Sequence, residues 1–206
     1  MKVPHFSDKG VLLIDTLDCP TDSLAAEKVR LALRATYSIF DKIAFFLNAY
    51  LGLGIEPRRV GFRTLWYERD GNRGRRSLRS RFTDYENWPM RGLFWLAKDL
   101  SSDDPDFREA TAPDARDLQE IRNHLEHRFL KLHEGGPSAP GDELTWSAVR
   151  HDFEEKALRV LKLARAALIY LSLGMHREER LREQREAGRA ATMLVTLPTM
   201  PDHQRN

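Results

Sequence analysis

Arg122, Asn123 and His127 are the residues whose types and spacing could do chemistry. Histidine titrates close to neutral pH, so its ring can give or take a proton during a reaction. A guanidinium can grip an oxyanion through two parallel hydrogen bonds. A side-chain amide one helical turn from the histidine can hold the ring or bond a substrate. The stretch Arg122-Asn-His-Leu-Glu-His127 supplies all three. The same spacing recurs at Arg128 and His133, but there Phe129 follows the arginine in place of a polar residue. His124 and His127, with Glu126 or His133 nearby, could instead share a metal ion, although their order is not the H-E-x-x-H of metalloproteases. Spacing alone also fits an ordinary solvated helix face.

The element that must position these groups is an amphipathic helix expected over 113–133. At 100° per residue, Leu118, Ile121, Leu125, Phe129 and Leu132 fall inside an arc of roughly 80°, the width of a buried stripe. Asn123 and His127 then lie about 160° from the stripe's centre on either side, facing away from the core. Arg122 sits about 60° from that centre, where its stem can be covered while its guanidinium swings outward. Arg122 and His127 differ by roughly 140° in azimuth and about 7.5 Å along the axis. One copy therefore makes an awkward site, whereas two antiparallel copies about a two-fold axis would gather two arginines and two histidines round one cleft. A homodimer is the expectation.

Around that helix the periodicity implies a bundle. Thr21-Asp22-Ser23 offers N-caps, and Val29, Leu33, Thr36, Phe40, Ile43, Leu47 and Tyr50 step by four and three up to Gly52-Leu-Gly54. Val11–Ile14 before it reads as a strand or an extended segment. From Pro57 to Asn87 the pattern breaks, with Phe62, Leu65, Trp66 and Tyr67 as a short packed element, followed by six arginines between Arg69 and Arg81. That run is either a solvated loop or an arm that follows a polyanion. A second helix is expected from Trp88-Pro89 to Leu100, and a fourth from about Thr145 to Leu173, stopping at Gly174. Beyond it, 175–192 is helix-compatible but charged nearly all round, and Met193-Leu-Val195 follows in the tail.

Composition narrows the class without naming a partner. The chain has 206 residues, 41% of them apolar, enough for one helical domain over 1–174 with a long loop at 55–87 inserted, and a charged extension over 175–206. Its 33 basic and 31 acidic residues leave a net charge of +2. A single cysteine, Cys19, excludes an internal disulfide framework. No stretch is apolar enough for a secretory signal or a membrane span, which places the expected protein in the cytoplasm and off the membrane.

Arg122-Asn-His-Leu-Glu-His127, an R-x4-H arrangement with a polar residue after the arginine, resembles the motif of the HEPN superfamily. Three surrounding words strengthen the likeness: Ser38-Ile-Phe-Asp41-Lys-Ile43, Asn87-Trp-Pro-Met-Arg-Gly-Leu-Phe-Trp95 and Ile121 to Lys131. It runs from about residue 5 to 173, and these words resemble a branch found in prokaryotic proteins, sometimes appended to repeat regions. The resemblance implies an all-α, HEPN-like bundle of four to five helices with an irregular Arg-rich insertion and a charged C-terminal helix. It also implies an endoribonuclease, a toxin or anti-phage effector, that cuts single-stranded RNA through its own 2'-hydroxyl, without metal or cofactor.

In that reading His127 is the general acid or base, Arg122 stabilises charge on the phosphate, and Asn123 orients the ring or the substrate. His124, Arg128, Arg73, Arg75 and Arg76 are the candidate substrate contacts, and Trp66, Tyr67 or Trp88 could stack on bases. Tyr37 and Asp41 either reach the site or line the bundle. One branch of the family places a modifiable tyrosine two residues after the histidine, where this chain has Phe129, so that form of control is not expected. Partners would be RNA, a second copy, and an antitoxin or a larger defence complex. Two other classes stand beside the enzyme: a non-catalytic HEPN module binding a nucleotide or RNA, and an interaction domain docking through its tail.

Overall fold

A computed structural model describes residues 20–69, 76–83, 85–100, 121, 129–134 and 145–187, with 6, 9, 13 and 14. Helix α1, Leu24–Tyr50, starts where the sequence put its cap, with the Ser23 hydroxyl oxygen accepting from the Ala26 amide at 3.1 Å. Its expected stripe is the buried one: Leu33, Thr36, Phe40, Ile43 and Leu47 face the core with Ala26 and Ala44. Thr36, the weak member, is satisfied by donating to the Ala32 carbonyl. Gly52 and Gly54, both at positive φ, turn the chain out of the helix. Asn48 then fastens the exit by bonding both the amide and the carbonyl of Ile55.

Short strands flank the helices. β1, Leu13–Ile14, pairs antiparallel with β2, Thr21–Asp22, so the described end of the early apolar run is a strand. Within the inserted stretch, 3-10 turns at Pro57–Arg59 and Thr64–Trp66 lead into a hairpin of β3, Tyr67–Arg69, and β4, Arg76–Leu78. The short helix α2, Ser80–Thr83, follows, with Arg79 donating to the carbonyls of Leu65 and Trp66. Phe62, Leu65 and Trp66 are buried, which pins this stretch to the bundle. Helix α3, Trp88–Asp99, has Asn87 as its N-cap and Pro89 in its first turn.

Two expectations need correction. The helix foreseen through His133 has already ended by Phe129, because Phe129–His133 is strand β5, paired in parallel with strand β6, Thr145–Val149. Phe129, assigned to the buried stripe, is 72% exposed. Leu130 and Leu132 satisfy a two-residue period as well as a helical one, and in so short a run the backbone partner decides between them. The last helix, α4, accordingly starts at Arg150 and not near Thr145, and it runs to Glu186, straight through Gly174. At Gly174 a side chain would meet Met90 at 3.0 Å, so this glycine is there for close packing and not as a stop.

α1 and α4 run in the same direction, since Arg30 reaches the Leu130 carbonyl near one end and Tyr50 meets Glu179 near the other. α3 runs against them, with Asn87 beside Gly174 and Gly92 beneath Tyr170. Leu93, Leu96 and Met90 of α3 and Phe153, Val160 and Ala167 of α4 close the core with α1. Tyr37 is half-buried against Phe40, part of the packing around the core.

Candidate functional site

The described residues set the frame of the R-x4-H segment. Ile121 is helical and fully buried, as the stripe required of the residue before Arg122. On the other side, β5 begins one residue after Arg128 and is held from two directions. Arg30 of α1 donates to the Leu130 carbonyl at 2.9 Å, and Arg150 at the head of α4 bonds Glu134 at 2.5 Å and Glu154 at 2.9 Å. Arg122, Asn123, His124, His127 and Arg128 themselves lie outside the described residues, as do Arg73 and Arg75. Arg76 opens β4 and pairs in backbone register with Arg69 of β3. His133, the histidine of the second motif match, is 6% exposed in β5, where a substrate does not reach it. Among the described residues its Nε2 has no hydrogen-bond partner. Among the described residues, no three His, Cys, Asp or Glu side chains gather as a metal set.

The aromatic candidates separate cleanly. Trp66 is in the core, its Nε1 donating to the Phe62 carbonyl at 2.8 Å, and Tyr67 is half-buried against Phe94. Trp88 is exposed, with the Arg91 guanidinium 4.8 Å from its ring centre.

Sequence reasoning missed a polar knot. Glu178, in the stretch that reads from sequence as charged nearly all round, is buried. One of its oxygens accepts from the Tyr85 hydroxyl at 2.6 Å and from the Asn87 amide at 2.9 Å. The same amide donates to the Gly174 carbonyl at 2.9 Å, while the Asn87 oxygen accepts from the Met90 amide. Asn87 carried a signal as a helix cap; nothing in a charged helical run marks one glutamate as internal. The knot ties the far part of α4 to the start of α3.

Burial and the bond to Glu178 push the Tyr85 phenol above its ordinary range. Tyr50, desolvated and bonded to Glu179, is pushed up to about 12. The unfolded chain releases these protons near the ordinary value of 10.0, while the folded one keeps them longer. Stability is therefore full below pH 10 and is lost as pH rises from there through the folded values. Circular dichroism during alkaline titration checks this, and Tyr85→Phe should flatten the loss; a curve with no slope above pH 10 in the unsubstituted chain would contradict it.

Among the described residues, no helix is long and apolar enough to cross a membrane. No curated protein and no solved structure matches the chain. A family model does, the LA2681-like HEPN, over residues 1–178. That range takes in the packed helices α1, α3 and α4 as far as Glu178, and the R-x4-H stretch with them, so the chain belongs to the LA2681-like HEPN family.

Proposed function

We propose that this HEPN domain, a nucleotide-binding or RNase-like module by family, is a metal-independent endoribonuclease acting on single-stranded RNA as a homodimer. The observation that carries the reading is Arg122-Asn-x3-His127 lying within the matched range, immediately after a residue that packs into the core. Starting from a buried Ile121, helical spacing would put Asn123 and His127 on the outward side and Arg122 at the shoulder. In the reaction, the 2'-oxygen attacks the adjacent phosphorus as its proton leaves to a base. The bond to the 5'-oxygen breaks, that oxygen takes up a proton, and a 2',3'-cyclic phosphate remains. His127 serves the proton transfers, and Arg122 holds the phosphate oxygens as their charge grows. Asn123 keeps the imidazole aimed. A toxin or anti-phage effector, restrained by an antitoxin or a larger complex in the cytoplasm, is the setting that fits such an activity.

Cleavage of end-labelled single-stranded RNA in EDTA tests the proposal. The unsubstituted chain should cut, and His127→Ala should cut on the order of 10²- to 10⁴-fold more slowly, the usual worth of a general acid or base. RNA bound equally by both and cut by neither would make the chain a non-catalytic HEPN module.

A further inference from the structure

The outer face of α3 carries an aromatic row that the R-x4-H reading does not use. Trp88, Arg91 and Trp95 fall within an arc of about 60°, opposite the buried Met90, Leu93 and Ala97. Trp88 is 69% exposed and Trp95 52%. Between them along the helix lies Gly92, and the ring of Tyr170 from α4 lies over it, so close that a Cβ there would sit 3.1 Å from the ring atoms. The missing side chain lets a third ring, 37% exposed, settle on α3 at Gly92, which lies between the two tryptophans in the chain. The tryptophans are seven residues apart, about 10.5 Å along the axis.

Cations accompany the rings. Arg91 stacks on Trp88 at 4.8 Å, and Lys98 lies 4.9 Å from the Phe94 ring and 5.3 Å from that of Trp95. From Trp88 to Lys98 the helix has no acidic residue, and Asp99, which ends it, is half-buried near Arg159. On α4 no acidic residue occurs between Glu155 and Glu178, a span that carries Lys156, Arg159, Lys162, Arg165, His176 and Arg177. The two helices pack on each other over that span, so the row lies along a stretch where α4 carries basic and no acidic residues. Exposed aliphatic side chains lie on α4, at Leu158, Leu161, Leu168, Ile169 and Leu173, and none is exposed on α3. An aliphatic surface suits a protein partner; stacked rings among cations suit bases on a polyanion.

We infer that the row Trp88, Tyr170 and Trp95 is a stacking platform for single-stranded RNA, the bases lying on the rings and the phosphates facing Arg91 and Lys162. It deepens the nuclease reading by naming where the strand is held away from the cut. Binding of a fluorescent uridine 12-mer in EDTA, measured in a His127→Ala background so that the RNA survives, tests it apart from cleavage.

Trp88→Ala and Trp95→Ala should each weaken binding on the order of tenfold, consistent with the loss of one stacked base, and Trp95→Phe should recover most of it. Duplex RNA should bind no differently in any of these variants. Unchanged 12-mer binding in the double alanine variant, folded by circular dichroism, overturns the platform. A double variant that binds normally but sediments as a smaller species would overturn it too, by assigning the face to a second copy. Failure of the His127-intact chain to cut, with tryptophan-dependent binding retained, removes the nuclease and leaves the platform standing. No RNA binding by any variant removes the platform.

Discussion

Asn87→Leu should destabilise the fold by about 3 to 5 kcal/mol, because one amide serves three partners. Losing an N-cap costs about 1 kcal/mol, and taking a hydrogen bond from a buried acceptor costs roughly 1 to 3 kcal/mol each, more for a charged one, with Tyr85 still donating to Glu178. Here the acceptors are the Gly174 carbonyl and the buried Glu178 carboxylate. Urea unfolding of the variant gives the number. Combining it with Glu178→Gln separates the parts, since a neutral partner that loses one of its donors costs less than a charged one. Asn87→Ser retains the cap alone and should fall between. A change below about 1 kcal/mol for Asn87→Leu would mean that water replaces the amide at both acceptors, and that the knot contributes little beyond its cap.

Trp66→Ala should cost about 3 to 5 kcal/mol, the range for deleting a large buried aromatic side chain. Its indole packs on Phe82 at 4.9 Å, Phe94 at 5.7 Å and Phe62 at 6.5 Å between ring centres, and its N–H is satisfied by the Phe62 carbonyl. The residue joins the inserted stretch to α3, so its loss should also loosen the β3–β4 hairpin. Hydrogen exchange localises that effect: amides of Tyr67–Arg69 and Arg76–Leu78 should lose protection before those of α1. Uniform loss of protection everywhere would mean that hairpin and bundle open as one unit.

The helical skeleton was legible where local signals and packing agree. Ser23 caps α1, the four-and-three stepping of Leu33 to Leu47 is buried, and Asn87 with Pro89 starts α3. The failures came where a short segment satisfies two periods or where a residue has two uses. Phe129–His133 fits a helix by sequence and becomes a strand because Thr145–Val149 is there to pair with it. Gly174 carries the signature of a helix end, yet its missing side chain is what admits Met90 and Asn87. At the site level, residue type and spacing single out Arg122, Asn123 and His127, which lie outside the described residues. Among the aromatics, exposure separates Trp88 from Trp66, and that is a property of tertiary packing no single word of sequence contains. Tyr170 escaped attention because its neighbour in space, Gly92, is far away in the chain.

The knot at Glu178 also has an electrostatic meaning. Asn87 caps the end of α3 at which the helix's peptide dipoles sum to a partial positive charge, and the buried Glu178 side chain bonded to that cap lies beside that positive pole. A negative group inside the bundle is tolerable there for the same reason it would be intolerable one helix length away. Reversing its sign to lysine would set cation against the positive pole and so uncouple α3 from the far part of α4.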